Sequence, residues 1–228
     1  MQEIWENVDA HTSNQIKFKL PGWEDAAAGI KSDKAKFGRG IAKIFVFRLI
    51  YGGTSYSYAN DPDFASVSTS QKFWDGVIDK FYEKYQGWSG WHTKLMQEAT
   101  TTGKIVMPTG RVYTYSLTKF GDWPRTTILN YPVQGLGADV MAIVRVAFYK
   151  RLKQRGFKSL PIITVHDSIV LDALLEEVEA LVKLFHEVFK DTPKLFEQWF
   201  GKPFNLPLQC EVSTGHNMAD LKEFKLAD

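Results

Sequence analysis

Arg39-Gly-Ile-Ala-Lys43-Ile-Phe-Val-Phe47-Arg-Leu-Ile-Tyr51-Gly52 carries two four-residue rhythms at once. Ile41, Phe45 and Leu49 make one; Arg39, Lys43, Phe47 and Tyr51 make the other. At about 100° per residue each set drifts gently along one side of a helix, an apolar stripe for a core and a row of two cations and two rings. The Gly52-Gly53 pair stops the run, so a helix is expected over about residues 37–51. Arg and Lys one turn apart suit a polyphosphate, Arg through its planar fork and Lys as a point charge. A ring at the far end can stack on a base. The plainer reading of the same row is a solvated face with its two rings in the core.

Outward from this helix the pattern stays mainly helical. Residues 1–36 are broken by Pro21-Gly22 and by Ala26–Gly29 into short helices and loops. Apolar spacing predicts helices over Ser70–Tyr85, Trp88–Ala99, Gln134–Gln154, stopped by Gly156, and Glu176–Lys190. Gly103–Ser116 alternates and turns, as a small hairpin would. Between Pro161 and Asp172 two β-branched runs flank His166-Asp167, which predicts a hairpin with a polar tip. Leu206–Val212 reads as a further strand. The fold class expected is α+β, mainly helical, with no linker, internal repeat or low-complexity stretch.

The chain has 228 residues, 44% hydrophobic and 24% charged, which suits a folded core and excludes disordered, collagen-like and coiled-coil classes. No run approaches the roughly 18–20 apolar residues of a membrane span, and the Met1–Ala10 start does not read as a signal peptide. No membrane partner and a cytoplasmic location are expected. Cys210 stands alone, so it supplies neither an internal disulfide nor a cysteine metal cluster. The formal net charge of +2 argues against a uniformly basic nucleic-acid surface, yet it hides a local one. From Lys31 to Asn60 there are six basic residues and one acid, Asp33, a local +5.

Asp167 at the hairpin tip is the second chemical signal. A carboxylate at a strand-to-strand turn, held by two apolar strands, is a rigid mount for a hard cation. Asp is also common in turns for its own backbone hydrogen bonds, which is the plainer reading. A phosphate clamp and a carboxylate mount in one chain are complementary halves of a two-metal phosphoryl-transfer site.

These residues fall into a familiar order. The stretch Arg39–Gly52 resembles the fingers-helix motif B of family A DNA polymerases: Arg, three residues, Lys, three residues, Phe, three residues, Tyr-Gly. Val165-His166-Asp167-Ser168 resembles that family's motif C. Asn130-Tyr-Pro-Val-Gln134-Gly-Leu-Gly-Ala-Asp139 is similar to its Asn-x-Pro-x-Gln-Gly-x-x-Ala-Asp segment. Asp9-Ala-His11-Thr12 and Cys210–Asn217 resemble two further segments of the family, one near each end of this chain.

The resemblance implies a right-hand polymerase fold, with fingers over 1–100 and part of an antiparallel-sheet palm over 101–228, its motif C hairpin at about 161–172. It implies a DNA-directed DNA polymerase acting on deoxynucleoside triphosphates and primer-template DNA. Arg39 and Lys43 would hold the triphosphate, Phe47 would pack on its base and sugar, and Tyr51 would sit by the templating base. Asn130, Gln134 and His166 would lie along the primer terminus and its minor groove. Asp167 would be the catalytic carboxylate and bind two Mg2+ ions, one activating the primer 3′-hydroxyl and one steadying the leaving pyrophosphate.

Three departures refine the expectation. Ser168 replaces the acid usual after the motif C Asp, Arg48 stands where the family commonly has Gly, and no motif A string occurs. The second carboxylate ligand is therefore expected from outside this chain, on an N-terminal polymerase polypeptide that carries motif A, the thumb and an exonuclease if there is one. Alone, the chain is expected to be inactive or nearly so, the C-terminal part of a split, phage-type polymerase in a host cytoplasm. Two alternatives compete: a fragment of a phage-type single-subunit RNA polymerase, against which Phe47 and the Glu211–Asn217 tail speak, and a non-catalytic accessory that binds primer-template.

Overall fold

Asp9 opens the first helix of the described residues, its carboxylate accepting hydrogen bonds from the His11 N–H and the Thr12 hydroxyl, so α1 runs Ala10–Phe18. The computed structural model describes residues 9–224 and 226. Within them the chain divides into two compact units, one of residues up to Met107 with Arg111–Val133, the other of Pro108–Gly110 with Gln134 onward.

In the first unit α2 (Trp23–Ala27) leads to α3 (Asp33–Ile50), which carries both rhythms quoted above. Ser32 caps α3, its hydroxyl accepting from the Ala35 N–H at 3.0 Å, so the helix begins four residues before the expected Phe37. Its apolar stripe is the middle of an aromatic core with Phe18, Tyr58, Phe64, Trp74 and Phe81. Phe45 is fully buried, edge-on to Phe18 and stacked on Trp74, and its carbonyl accepts from the Tyr58 hydroxyl at 3.0 Å. Burying one such ring stabilises by about 2–3 kcal/mol. Tyr58 lies on α4 (Ser55–Ala59), and Trp74 and Phe81 lie on α5 (Gln71–Lys84). Then follow α6 (Gly87–Thr102) and the hairpin β1 (Lys104–Val106) with β2 (Val112–Thr114).

α3 sits unusually close to the preceding loop. A Cβ added at Gly38 would lie 1.8 Å from the Pro21 carbonyl oxygen and 2.5 Å from Gln15 Nε2. The same Gln15 amide, itself fully buried, donates to the Pro21 and Ala35 carbonyls at 2.6 and 3.1 Å. Only glycine permits that approach.

The second unit is built on α7 (Arg125–Gln154), whose later part belongs to it, and α8 (Val178–Phe200). Val144, Ala147, Phe148 and Leu152 form one core cluster with Leu181, Leu184, Phe185 and Val188, and Phe148 stacks on Phe185 at 3.9 Å. Arg151 pairs with Glu187 and Asp191 at 2.8 Å beside this seam. The hairpin β3 (Leu160–Val165) and β4 (Ser168–Asp172) is antiparallel from Leu160↔Asp172 to Val165↔Ser168, with an irregularity between Pro161 and Ile163. That is where a residue without an N–H is tolerated in a ladder. Glu177 fastens the base of the hairpin, accepting from both N–H groups and the hydroxyl at Lys158–Ser159. A last short pair joins β5 (Ser213–Thr214) and β6 (Lys222–Glu223).

The mainly helical fold with small antiparallel sheets is as expected, and two further helix bounds and one strand are corrected. α7 starts at Arg125, not Gln134, and passes through Pro132. Ile128 and Leu129 are fully buried one turn upstream, and that burial outweighs the hydrogen bond a proline removes. α8 likewise continues through Pro193 beyond Lys190, because Phe196 is still buried, and it ends at Gly201 with φ +64°. Leu206–Val212 forms no strand among the described residues, although the Val212 carbonyl accepts from the Phe224 N–H at 2.8 Å. Its apolar residues are used in packing instead: Leu208 lies against Val140, Ile143 and Phe196, and Cys210 against the α7–α8 cluster.

Candidate functional site

With Ile41, Phe45 and Leu49 turned into the core, the other row of α3 is turned away from it. Arg39, Lys43 and Phe47 are exposed and Tyr51 is half-buried. Phe47 is 43% exposed, which sets aside the plainer expectation that both rings of the row are core residues. Lys43 Nζ lies 6.0 Å from the centre of the Phe47 ring, at the limit of a cation–π contact. The His11 ring meets Phe47 from α1, with centroids 6.0 Å apart. Tyr51 closes the helix, its N–H bonded to the Phe47 and Arg48 carbonyls, and Gly52 turns the chain away at φ +91°. Cation, cation, ring and ring thus stand in one line on a helix that its own core holds still.

Arg39 is bound side-on by Asp9: Nε donates to Oδ2 at 2.6 Å and Nη2 to Oδ1 at 3.1 Å. Partial burial would raise the Asp9 carboxyl, but the Arg39 and Thr12 hydrogen bonds and the Arg39 charge hold it well below the usual carboxylate range. His11 is pushed down by burial and by the Arg39 charge, against the pull of Asp9, so its ring is neutral at physiological pH. Its Nδ1 is buried without a hydrogen-bond partner. Asp9 and His11 belong to this site, yet no role for them could be read from the sequence. The available signal was the Asp9-x-His11-Thr12 string, in which an N-cap and a row partner look alike. Arg48 is not part of the site: it pairs with Asp61 and Asp63 and lies 5.1 Å from the Phe64 ring.

Asn130 and Gln134 are four residues apart on α7, the first half-buried in the first unit and the second exposed in the second. Nearby, Asp139 is buried and accepts the Thr109 hydroxyl at 2.5 Å. His166 and Asp167 form the two-residue tip between β3 and β4, and both are exposed. His166 has φ +51°, the sign a tight primed hairpin turn demands and one that glycine adopts at less cost. Ser168 Oγ donates back to the Val165 carbonyl at 2.8 Å and fastens the tip. So Arg39, Lys43, Phe47, Tyr51 and Asn130 lie in the first unit, and Gln134, His166 and Asp167 in the second.

An exposed carboxylate is a hard oxygen donor of the kind Mg2+ takes. Among the described residues, however, no three His, Cys, Asp or Glu side chains gather closely enough to hold a metal ion. Asp167 therefore fits as one ligand of such a site, and these residues do not complete it.

The helix-borne cation–ring row stands in one unit and the β-hairpin carboxylate in the other, on a mainly helical frame. The fold matches the POL domain of Pol1 from M. smegmatis in complex with DNA primer-template and dNTP, with a TM-score of 0.72 at 18% identity over 92% of this chain and 34% of that one. Residues 25–220 match the family model for DNA polymerase family A, and the chain belongs to that family. Relatives include DNA polymerase I of Bacillus subtilis, 26% identical over 221 residues, and of Lactococcus lactis, 24% identical over 224. The chain spans 23% of the length of each of these two.

Proposed function

We propose that this chain is the fingers and C-terminal palm part of a DNA-directed DNA polymerase of phage type, working with a separate N-terminal polypeptide that brings the thumb and a motif A carboxylate. The observation that carries the reading is the α3 row, with Arg39, Lys43 and Phe47 exposed on a helix whose opposite face is buried. In the reaction, the primer 3′-oxygen forms a bond to the α-phosphorus of a deoxynucleoside triphosphate, and the bond to the leaving pyrophosphate breaks. Arg39 and Lys43 neutralise the β- and γ-phosphates, Phe47 packs on the base and sugar, and Tyr51 holds the place of the templating base. Asn130, Gln134 and His166 line the primer end and its minor groove. Asp167 is one carboxylate for two Mg2+ ions, which when bound neutralise charge at the reacting phosphate; the other comes from the partner. Residues 1–100 are assigned to the fingers and 101–228 to the palm, in the cytoplasm of the cell that makes the chain.

One structural observation supports a partner: the solvent-facing apolar residues of β3, Ile162 at 63%, Ile163 at 49% and Val165 at 41% exposure. Among the described residues no helix is long and apolar enough to cross a membrane. The test is primer extension on a primed DNA template with Mg2+. The chain alone should extend little or not at all, and the N-terminal polypeptide should restore synthesis with deoxynucleotides. Extension by the chain alone at an ordinary polymerase rate overturns the partner requirement. A preference for ribonucleotides in the restored reaction points to an RNA polymerase, and restored synthesis that is indifferent to Asp167→Ala points to an accessory.

A further inference from the structure

The Asp9–Arg39 contact adds a component to the clamp, and the inference rests on the reading of Arg39 as a triphosphate ligand. A guanidinium has five N–H donors arranged as a side-on edge, Nε with Nη2, and an end-on edge, Nη1 with Nη2. Asp9 takes the side-on edge with two bonds of 2.6 and 3.1 Å. Three donors remain, and they include the whole end-on edge that a phosphate can grip with two oxygens. An oxyanion therefore has no need to displace the carboxylate. Asp9 is itself fixed by the Thr12 hydroxyl at 2.5 Å and the His11 N–H at 3.2 Å, both on the helix it caps. The pair is about half-exposed, 46% for Arg39 and 41% for Asp9, where an ion pair contributes little to folding. What it does alter is the freedom of a long side chain, which a ligand otherwise has to freeze on binding.

We propose that Asp9 is a positioning residue: it holds the Arg39 guanidinium with its end-on edge presented to the triphosphate, before nucleotide arrives and while it is bound. Asp9→Asn separates this from capping, because Asn caps a helix as well as Asp but cannot offer two anionic oxygens to one guanidinium. Asp9→Glu keeps the charge. The experiment measures dGTP affinity with Mg2+ for the purified chain, alongside the Arg39 Nε–H resonance by NMR and helix content by circular dichroism.

Arg39→Ala should weaken dGTP binding at least tenfold and Asp9→Asn about 3- to 10-fold, with helix content unchanged and the Arg39 resonance displaced. Asp9→Glu should recover part of the loss. Binding that depends on Arg39 but is unchanged or tighter in Asp9→Asn overturns the positioning role alone, since Asp9 would then only cap or compete. Binding that is absent, or indifferent to Arg39→Ala, overturns the clamp reading and this inference with it.

Discussion

Two arginines nine residues apart on α3 have opposite fates. Arg48 is tied to Asp61 and Asp63, while Arg39 keeps one edge of its guanidinium clear of Asp9. Arg39→Ala should weaken triphosphate binding by about 10- to 100-fold, the worth of charge-assisted hydrogen bonds, whereas Arg48→Ala should leave it unchanged and lower stability by about 1 kcal/mol. Calorimetric titration and thermal melting of the two variants would tell them apart, and equal losses of binding would sink the distinction. At the hairpin, Asp167→Ala in the reconstituted polymerase should cut primer extension by about 10³-fold, with primer-template affinity by anisotropy little changed. A residual rate above a tenth of normal would rule Asp167 out as the essential carboxylate. His11 and His92 give a pH signature. Both are held below the ordinary value of 6.5, each by burial first; the Arg39 charge adds to it for His11, and for His92 the Ile50 carbonyl opposes it while Arg125 adds to it. With a depressed folded-state value, the unfolded chain takes up protons first, so this stability is intact above about pH 6.5 and is lost as pH falls below it. The melting midpoint should drop by a few degrees between about pH 7.5 and 6.0, and His92→Gln should flatten the slope.

At the scale of elements, α3 makes a sharp pair of forecasts. Gly38→Ala drives a methyl into the Pro21 carbonyl and should cost about 2 kcal/mol or more, while Gly40, with nothing within 4 Å of its would-be Cβ, should gain about 0.5–1 kcal/mol on the same change. Chemical denaturation of both variants checks the sign, and a shared sign would mean that the α1–α3 approach is wrong. Phe45→Ala should lose about 3–5 kcal/mol, because its neighbours Phe18, Tyr58 and Trp74 cannot all close over the cavity. α3, α5, α6 and both main hairpins were legible in the sequence, since apolar period and turn residues agree there. The passage of α7 through Pro132 was not, because local propensity says stop and only the burial of Ile128 and Leu129 says continue. Leu206–Val212 misled for the opposite reason: alternation records which side chains are buried, and here helices rather than a neighbouring strand bury them. Gly38 was likewise silent, a residue whose meaning is the distance to another segment.

For the whole molecule, two compact units carry separate halves of the proposed chemistry, the phosphate clamp in one and the hairpin carboxylate in the other. The row on α3 could be read in advance because a helix lays out its own neighbours; the Asp9 contact, thirty residues away in sequence, could not. With Ile162, Ile163 and Val165 exposed to solvent, the chain should gain solubility from the proposed N-terminal polypeptide. Ile162→Lys should raise the soluble monomer fraction of the chain alone in sedimentation and weaken its capture of the N-terminal polypeptide; unchanged capture would move the contact elsewhere. The same three side chains have a meaning for the cell. Apolar side chains left bare on a strand are what chaperones hold and proteases clear. If the proposed N-terminal polypeptide covers these side chains, copies of the chain made in excess of it would be the ones held and cleared.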